Sequence, residues 1–402
     1  MLEFIKKSIY LFFILILSFF VILLVILIKK IILIRFGQLE TRAVGHYGLP
    51  VEIYLSEKDI GLHNIEKKHY DIWIKDKDVA NKVLLKKWKK YLNIFPHHFI
   101  YIWFFFRKYK FGKDFLIPFR HWQDYSEAWP NVGAQYRDIN NALKKTKCHF
   151  SFDESEKKIA NNFFEKNNIN RKVIAFFSRD PKYRDSKLKY YDSRNSSIEC
   201  QIKAIEEMSK NYFCVRMGSD PEKELKININ NFIDYSFSEF RSELNDLYIL
   251  SKSYFIVSTG SGFDQMGMIF RTPVVLVNAT EAEYRYNPLF NSPIKLYIPK
   301  KIYSEELNRL LTFSEIFKMG ANKLETTNDY IKQKLKLINN SPKEIFDVVN
   351  EMEKRLSNKW IENKEDIELQ KKYWDINSFE NMPKFECRIG ANFLKENLDL
   401  LK

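Results

Sequence analysis

An uncharged, strongly apolar run near the N-terminus constrains this chain more than any other feature of its sequence. The run extends from Ser8 to Ile28 and has two lysines on each side. About 20 apolar residues in a helix are enough to cross a bilayer. The run is longer than the apolar part of a signal peptide, and no small-residue cleavage site closes it. The sequence therefore predicts a retained single-pass anchor over residues 1–30, against the alternative of a buried core helix.

The charges around the anchor bear on its orientation. Lys29, Lys30 and Arg35 slightly outnumber Lys6 and Lys7, and cytoplasmic flanks carry the larger number of basic residues. We therefore expect a protein of the inner (cytoplasmic) membrane whose body faces the cytoplasm. Shallow insertion without crossing stays open as an alternative.

Composition excludes several classes of protein. The chain has 402 residues, of which 45% are apolar and 29% charged, with 12 Gly, 12 Pro and 4 Cys. These values exclude a disordered chain, a collagen and a disulfide scaffold. The length predicts about two to three domains. The net charge of +14 is compatible with nucleic acid, anionic lipid or a phosphorylated ligand as partner.

The second half of the chain alternates between strand and helix patterns. Predicted strands cover 172–177, 212–217, 231–236, 254–258 and 273–279, and predicted helices cover 197–210, 238–253 and 262–270. Such alternation predicts a parallel, doubly wound sheet.

The first half and the C-terminus are less regular. Strand patterns cover 31–36, 51–56 and 70–74, helix patterns cover 79–92 and 154–167, and one long helix or two cover 343–375. The aromatic run 97–106 is compatible with a buried strand or with a patch that touches lipid.

Ligands of an open parallel sheet bind at the carboxyl ends of its strands. The strand 254–258 leads into the segment Ser258-Thr259-Gly260-Ser261-Gly262. The glycines and the start of the next helix in this segment favour binding of an anion such as phosphate. The alternative is an ordinary tight turn.

Arginines follow two other predicted strands. Arg179 comes directly after the strand 172–177, and Arg216 lies at the end of the strand 212–217. Arginine forks match phosphate oxygens, so the two predict a diphosphate pocket. The basic residues Lys182, Arg184, Lys187 and Lys189 of the same loop fit a solvated surface equally well.

Several ordered segments resemble a family of bacterial glycosyltransferases. They are RDPKYRD, YYDSRNSSI, VRMG, FIDYSFSEFRSELNDLYILS, FIVSTGSGFD and FRTPVVLVN, flanked by RFGQLETRAVGHYGLPVEIYL and RIGANFLKENLDLL. The resemblance covers nearly the whole chain beyond the anchor. Arg179 is also similar in position to the donor-phosphate arginine of protein O-fucosyltransferases.

This resemblance implies a GT-B-like α/β fold, in which two Rossmann-like doubly wound domains face a cleft. The domains expected are an anchor (1–30), an acceptor domain (31–168), a nucleotide-sugar domain (169–342) and a helical tail packing back on the acceptor domain (343–402). By the same resemblance the donor-binding residues are Arg179, Arg216, Asp234, Tyr235, Ser236, Thr259, Gly260, Ser261, Gly262 and Asp264. Arg241, Glu243 and Asp246 are either structural or ligand-binding.

Transfer of a sugar needs a base that deprotonates the acceptor hydroxyl. In GT-B enzymes this base often lies in the loop after the first strand, which here holds Glu40, His46 and Glu52. His46 is the first candidate because imidazole titrates near neutral pH, and Glu52 is the second. A structural histidine is the alternative.

The expected reaction uses no metal or other cofactor. Asp76-Lys77-Asp78 has the spacing of a metal-binding pair, but Asp78 also fits the N-cap of the following helix. The leading function is transfer of a sugar from a nucleotide-sugar donor to a lipid-linked or cell-surface glycan at the membrane, without nucleic acid as a partner. The alternatives are a non-catalytic sugar-binding or scaffold protein of the same fold and a nucleic-acid-binding protein recruited to the membrane.

Overall fold

The computed structural model describes residues 2–63, 65–119, 138, 140–182, 192–219, 221–280, 295–324, 326–376 and 388–402. The chain divides into two compact units after Ser151. Both units are mixed α/β structures with parallel sheets.

The first unit combines a long N-terminal helix with a small parallel sheet. Its described elements are α1 (Leu2–Ile28), β1 (Leu33–Leu39), α2 (Val44–Tyr47), α3 (Leu49–Asp59), β2 (His69–Lys75), α4 (Lys82–Trp88), β3 (Ile94–Phe95), α5 (Ile100–Lys108) and α6 (Ala142–Lys145). The three strands are parallel in the order β1-β2-β3, with Leu39 paired to Lys75. Their carboxyl ends therefore share one edge.

Within α1, the segment Ser8–Ile28 is long and apolar enough to cross a membrane, with a mean hydropathy of 3.6 and 11% of its most apolar window buried. Among the described residues it is the single helix of this kind.

Two strand predictions in this unit are wrong. Residues 51–56 lie in α3, where Pro50 occupies the first turn, a position that favours helix initiation. Residues 97–106 form a short 3-10 turn followed by α5. Helix α5 is apolar from Ile100 to Phe106, and α3 is buried from Leu49 to Glu57 with polar residues included, so neither has the apolar stripe and polar face that reveal a helix.

The second unit is built around a larger sheet. Its described elements are α7 (Glu154–Lys166), β4 (Val173–Phe176), α8 (Ile202–Met208), β5 (Phe213–Arg216), β6 (Phe232–Asp234), α9 (Glu243–Lys252), β7 (Ser253–Ser258), α10 (Gly262–Ile269), β8 (Val274–Ala279), β9 (Lys295–Pro299), β10 (Lys301–Ser304), β11 (Arg309–Leu310), α11 (Phe313–Met319), α12 (Thr327–Lys332), β12 (Leu335–Ile338), α13 (Pro342–Leu356), α14 (Lys364–Ile376), β13 (Arg388–Ile389) and α15 (Ala391–Glu396). The strand predictions over 172–279 are confirmed.

The seven strands of this sheet are all parallel, in the order β13-β9-β8-β7-β4-β5-β6. In chain order, the six strands from β4 to β9 follow the doubly wound arrangement 3-2-1-4-5-6. Helix α10 packs closely on β7 because Gly267 has no side chain: a Cβ there would lie 2.0 Å from Cδ1 of Ile256. The described strands of the first unit do not make a second sheet of this size.

The C-terminal residues belong to the second unit. The pattern over 343–375 forms two helices, α13 and α14, and α13 packs against α8 and β9. Strand β13 extends the large sheet beside β9. The expected packing of the tail on the first unit stays a prediction.

Candidate active site

The large sheet has a topological switch point between β4 and β7. Strands β5 and β6 lie on one side of it, and β8 and β9 lie on the other. Phe176 and Val257 pair at the carboxyl ends of the two central strands. Ligands of such sheets bind in the crevice outside these ends, so the segments after Phe176 and Val257 border the candidate site.

The segment after β7 forms a tight loop into α10. Gly260 has a φ of 80°, a left-handed conformation that glycine adopts without steric cost. The hydroxyl of Ser261 caps the helix by accepting the N–H of Phe263 at 3.0 Å. Ser261 also accepts the N–H of Asp264 in a capping box, so the first turn offers an anion the N–H of Gly262 and the positive end of the helix dipole.

Asp264 holds this loop from inside the protein. Its Oδ1 accepts the N–H of Ser261 at 2.6 Å and the hydroxyl of Ser258 at 2.9 Å. Only 1% of Asp264 is exposed, and burial raises the pKa of its carboxyl, while the charge of Lys295 acts in the opposite direction. These two hydrogen bonds tie Asp264 to the loop, and the predicted contact with a sugar hydroxyl stays a prediction.

The backbone of Arg179 is tied to the same loop. Its N–H donates to Oγ1 of Thr259 at 2.9 Å, and its carbonyl accepts the N–H of Ser196 at 3.1 Å. Thr259 is fully buried, and Arg179 is half-buried. This hydrogen bond therefore joins the ends of β4 and β7 across the switch point. The backbone of Arg179 thus lies at the end of β4.

The basic residues that follow Arg179 in the chain give less information about a phosphate site. Lys182 is exposed. Arg184, Lys187 and Lys189 lie outside the described residues.

Two residues that the sequence analysis missed hold the returning end of the loop. Lys300 is 5% exposed, and its Nζ donates to the carbonyls of Ser193 at 2.7 Å and Asn195 at 2.9 Å. Asn278 donates from Nδ2 to Oγ of Ser196 at 2.8 Å. The position of Lys300 directly after a buried strand is the sequence feature that could have identified it.

Arg216 and Asp234 are partners of each other. They pair at the ends of β5 and β6, and Nη1 of Arg216 donates to Oδ2 of Asp234 at 2.6 Å. Both side chains are buried, with 4% and 6% exposed. Asp234 also accepts the N–H of Leu225, and Arg216 donates to the carbonyl of Lys223. The pair thus orders the loop between the strands, and contact of either residue with a donor stays a prediction.

The residues after β6 support the start of α9. Tyr235 is fully buried, and its hydroxyl accepts the N–H of Ser242 at 3.1 Å. Ser236 is 8% exposed. Burial raises the pKa of Asp246 to about 6, and the charge of Arg241 opposes this shift. The predicted helix 238–253 begins five residues late, because Ser242 rather than Ser238 provides its N-cap.

Ionisable side chains gather at the carboxyl edge of the small sheet in the first unit. Nδ1 of His46 lies 2.9 Å from Oε2 of Glu40, which follows β1. Asp76 follows β2 at the same edge, where it accepts Nε2 of Gln38 at 3.3 Å. Burial raises the pKa of Asp76. The structure therefore combines a histidine with a carboxylate that can orient its ring.

Glu52 lies elsewhere, inside α3. It is fully buried and accepts the backbone N–H of His149 at 3.3 Å. Nε2 of the same histidine lies 3.1 Å from Asp59. A carboxylate enclosed in this way is placed to stabilise the fold rather than to reach a hydroxyl of a bound acceptor.

The Asp76-Lys77-Asp78 segment does not cap a helix as predicted. Helix α4 begins at Lys82, and its N-cap is Asn81, which accepts the N–H of Leu84 at 2.8 Å. The carbonyl of Asp78 accepts the hydroxyl of Thr41. In the part of the chain that the structure describes, no group of three or more His, Cys, Asp or Glu side chains is arranged to hold a metal ion.

No protein family matches the chain, and no curated protein matches it significantly. Among solved structures, the chain is similar to a glycosyl transferase family 9 protein from Veillonella parvula DSM 2008, with 10% identity, a TM-score of 0.41 and coverage of 81% of this chain and 97% of that one. It is also similar to the wall teichoic acid polymerase TagF, with 12% identity, a TM-score of 0.28 and coverage of 82% and 90%. Because these TM-scores are below 0.5, the fold assignment depends on the strand order described above.

Proposed function

We propose that this chain is a membrane-associated glycosyltransferase that moves a sugar from a nucleotide-sugar donor to a glycan or a lipid-linked acceptor. One observation carries the proposal. The doubly wound sheet of the second unit joins an arginine and a glycine-containing helix start at its switch point, through the bond from Arg179 to Thr259. A switch point with these groups suits a ligand that carries a diphosphate.

The donor diphosphate occupies this crevice in the proposal. The side chain of Arg179 and the positive end of α10 at Gly262 supply the positive charge that phosphate oxygens require. These groups also stabilise the negative charge that develops when the bond between sugar and diphosphate breaks. The reaction therefore proceeds without a metal in this proposal.

His46 is the proposed general base. It takes the proton of the acceptor hydroxyl at Nε2, because Nδ1 faces Glu40 at 2.9 Å. The acceptor oxygen then forms a bond to the anomeric carbon, and the nucleoside diphosphate leaves with the electron pair of the broken bond. Glu40 positions the imidazole and stabilises its charged form, as carboxylates do for catalytic histidines.

Binding of nucleotides tests the proposal directly. The full chain in detergent is titrated by calorimetry with UDP, GDP, ADP and CMP, and then with the corresponding sugar nucleotides. We expect saturable micromolar binding of the nucleotide with one particular base, and hydrolysis of the matching sugar nucleotide or transfer of its sugar. Failure of every nucleoside diphosphate to bind would overturn the proposal.

Tight binding of DNA or RNA that weakens steeply with salt would favour the nucleic-acid alternative. Binding of a nucleotide sugar without any turnover would favour the scaffold alternative.

A further inference from the structure

The segment around α5 lies alongside α1 over most of the length of the apolar helix. Near the start of α1, the hydroxyl of Tyr10 lies 2.7 Å from Nδ1 of His98, just before α5. Just after its end, Nζ of Lys29 donates to Asp114 at 2.8 Å, beyond α5. These two contacts are about 28 Å apart along a helix axis, close to the roughly 30 Å of a hydrocarbon core.

An apolar cluster fills the space between these two contacts. It joins Ile22 and Val25 of α1 to Ile102, Trp103 and Phe106 of α5. Helix α1 therefore does not extend from the first unit as a separate span. Wherever the middle of α1 enters a bilayer, α5 enters with it or lies directly against the acyl chains.

Large apolar side chains on α5 and directly after it are partly exposed. The exposed fractions are 38% for Tyr101 and 50% for Phe104 in the helix, and 43% for Tyr109 and 53% for Phe111 in the segment that follows it. Adjacent α1 is exposed in the same way, for example at Phe13 with 64%. A contiguous exposed apolar patch of this kind marks a contact with a partner or a membrane.

Basic residues gather at one end of this patch. Two of them come directly after α1, two end α5, and two lie in the short 3-10 helix after α5. They are, in that order, Lys29 and Lys30, Arg107 and Lys108, and Lys110 and Lys113. The contact between Lys29 and Asp114 places the two groups at the same level. Clustered basic residues beside a membrane-inserting helix attract anionic lipid headgroups.

We propose that α1 and α5 form one bilayer-contacting surface. Phe104 of α5 and Phe111 of the segment after it contact acyl chains, and the basic residues at the same end contact the headgroups of anionic phospholipid. The occupant is a lipid bilayer because the patch is continuous with a helix of membrane-spanning length and has a basic border. This inference goes beyond a single anchor; it rests on the proposed membrane location of α1 and not on sugar transfer.

Site-specific photo-crosslinking to lipid tests the inference. A benzophenone analogue of phenylalanine replaces one residue at a time in the full chain, at Phe13, Phe104, Phe111 or Leu62. Leu62 is the control: it is 46% exposed and follows α3, outside the cluster. Each protein is reconstituted into phosphatidylcholine–phosphatidylglycerol vesicles with labelled acyl chains and irradiated.

We expect lipid labelling at positions 104 and 111 within twofold of that at 13, and at least tenfold above that at 62. Labelling at 13 alone would leave α1 as an ordinary anchor and overturn the inference, while the membrane location would stand. Labelling at none of the four positions would overturn both.

Charge reversal tests the basic border separately. We expect the variant Lys108→Glu/Lys110→Glu to lose at least fivefold in vesicle flotation when phosphatidylglycerol is present, and to change little with pure phosphatidylcholine. The matched control Lys86→Glu/Lys89→Glu changes the same charge on α4 and should bind both vesicles like the unmodified chain. Equal loss in both variants would contradict a specific basic border.

Discussion

The two units present different chemistry at the same kind of edge. In the small sheet of the first unit, the carboxyl ends of β1 and β2 carry Glu40, His46 and Asp76, which are groups that exchange protons. In the large sheet of the second unit, the ends of β4 and β7 carry Arg179 and a helix start, which are groups that bind anions. Parallel strands thus place polar groups at one edge in both units, but in the proposal only the edge of the first unit takes part in proton transfer.

In the proposal, this difference is a division of labour between the units. In the first unit, Glu40 pairs with His46. In the second, the acidic residues support the structure: Asp264 holds the loop, and Asp234 neutralises Arg216. A substitution should therefore affect turnover in the first unit, and donor binding or stability in the second.

Substitution of His46 should have the largest effect. We expect His46→Ala to lower kcat about 10²- to 10⁴-fold, the usual contribution of a general base, with the Kd for the nucleotide unchanged. Glu40→Gln should lower kcat less, because the imidazole loses the carboxylate that orients its ring. An unchanged kcat for His46→Ala would remove the first unit from the chemistry.

Removal of Arg216 tests whether that arginine is structural. We expect Arg216→Ala to lower the free energy of unfolding by about 3–5 kcal/mol, because it leaves Asp234 buried without its counter-charge. Urea unfolding measures this, with Lys210→Ala as the control for loss of a charge on the surface near β5. A stable variant with weakened nucleotide binding would instead make Arg216 a donor ligand.

Removal of Arg179 should weaken donor binding while leaving the fold intact. We expect the Kd of the nucleoside diphosphate to rise about 100-fold in Arg179→Ala, which corresponds to about 2.7 kcal/mol. The matched control is Lys182→Ala, an exposed cation in the same loop. Equal affinities for the two variants would contradict a diphosphate site at the switch point.

Removal of the charge of Asp264 should have a smaller and pH-dependent effect. Burial raises the pKa of this carboxyl in the folded state. Folding therefore favours its protonated form, and the associated stability is lost as the pH rises from the ordinary pKa through the raised one. Asp264→Asn keeps Oδ1 as an acceptor, so we expect a change of about 1 kcal/mol at neutral pH and a flatter pH dependence of unfolding above the ordinary pKa of a carboxyl group. A pH dependence identical to that of the unmodified chain would contradict this account.

Chelation should have no effect at all. Treatment with EDTA should leave turnover unchanged, because positive charge at the diphosphate comes from Arg179 and the helix N–H groups in the proposal. Loss of activity that Mn²⁺ restores would return Asp76 and Asp78 to consideration as metal ligands.

The strands of the second unit were predictable because each is a short apolar run bounded by polar residues. Loops at their carboxyl ends follow from the rules of parallel sheets, so Arg179 and Ser261 could be placed from sequence. The pairing of Arg216 with Asp234 could not, because sequence gives the strand ends but not which polar groups satisfy each other. In the first unit, α5 is apolar over most of its length and α3 buries polar as well as apolar residues, so periodicity could not distinguish helix from strand.

The bond between Arg179 and Thr259 also has a consequence for biosynthesis. It closes a loop of 80 residues, and contacts so distant in sequence form only after the intervening chain has been made. Helix α1 leaves the ribosome long before Thr259 does. If α1 enters a membrane as proposed, it can do so before the crevice at the switch point has formed, so that location precedes the completion of the proposed donor site.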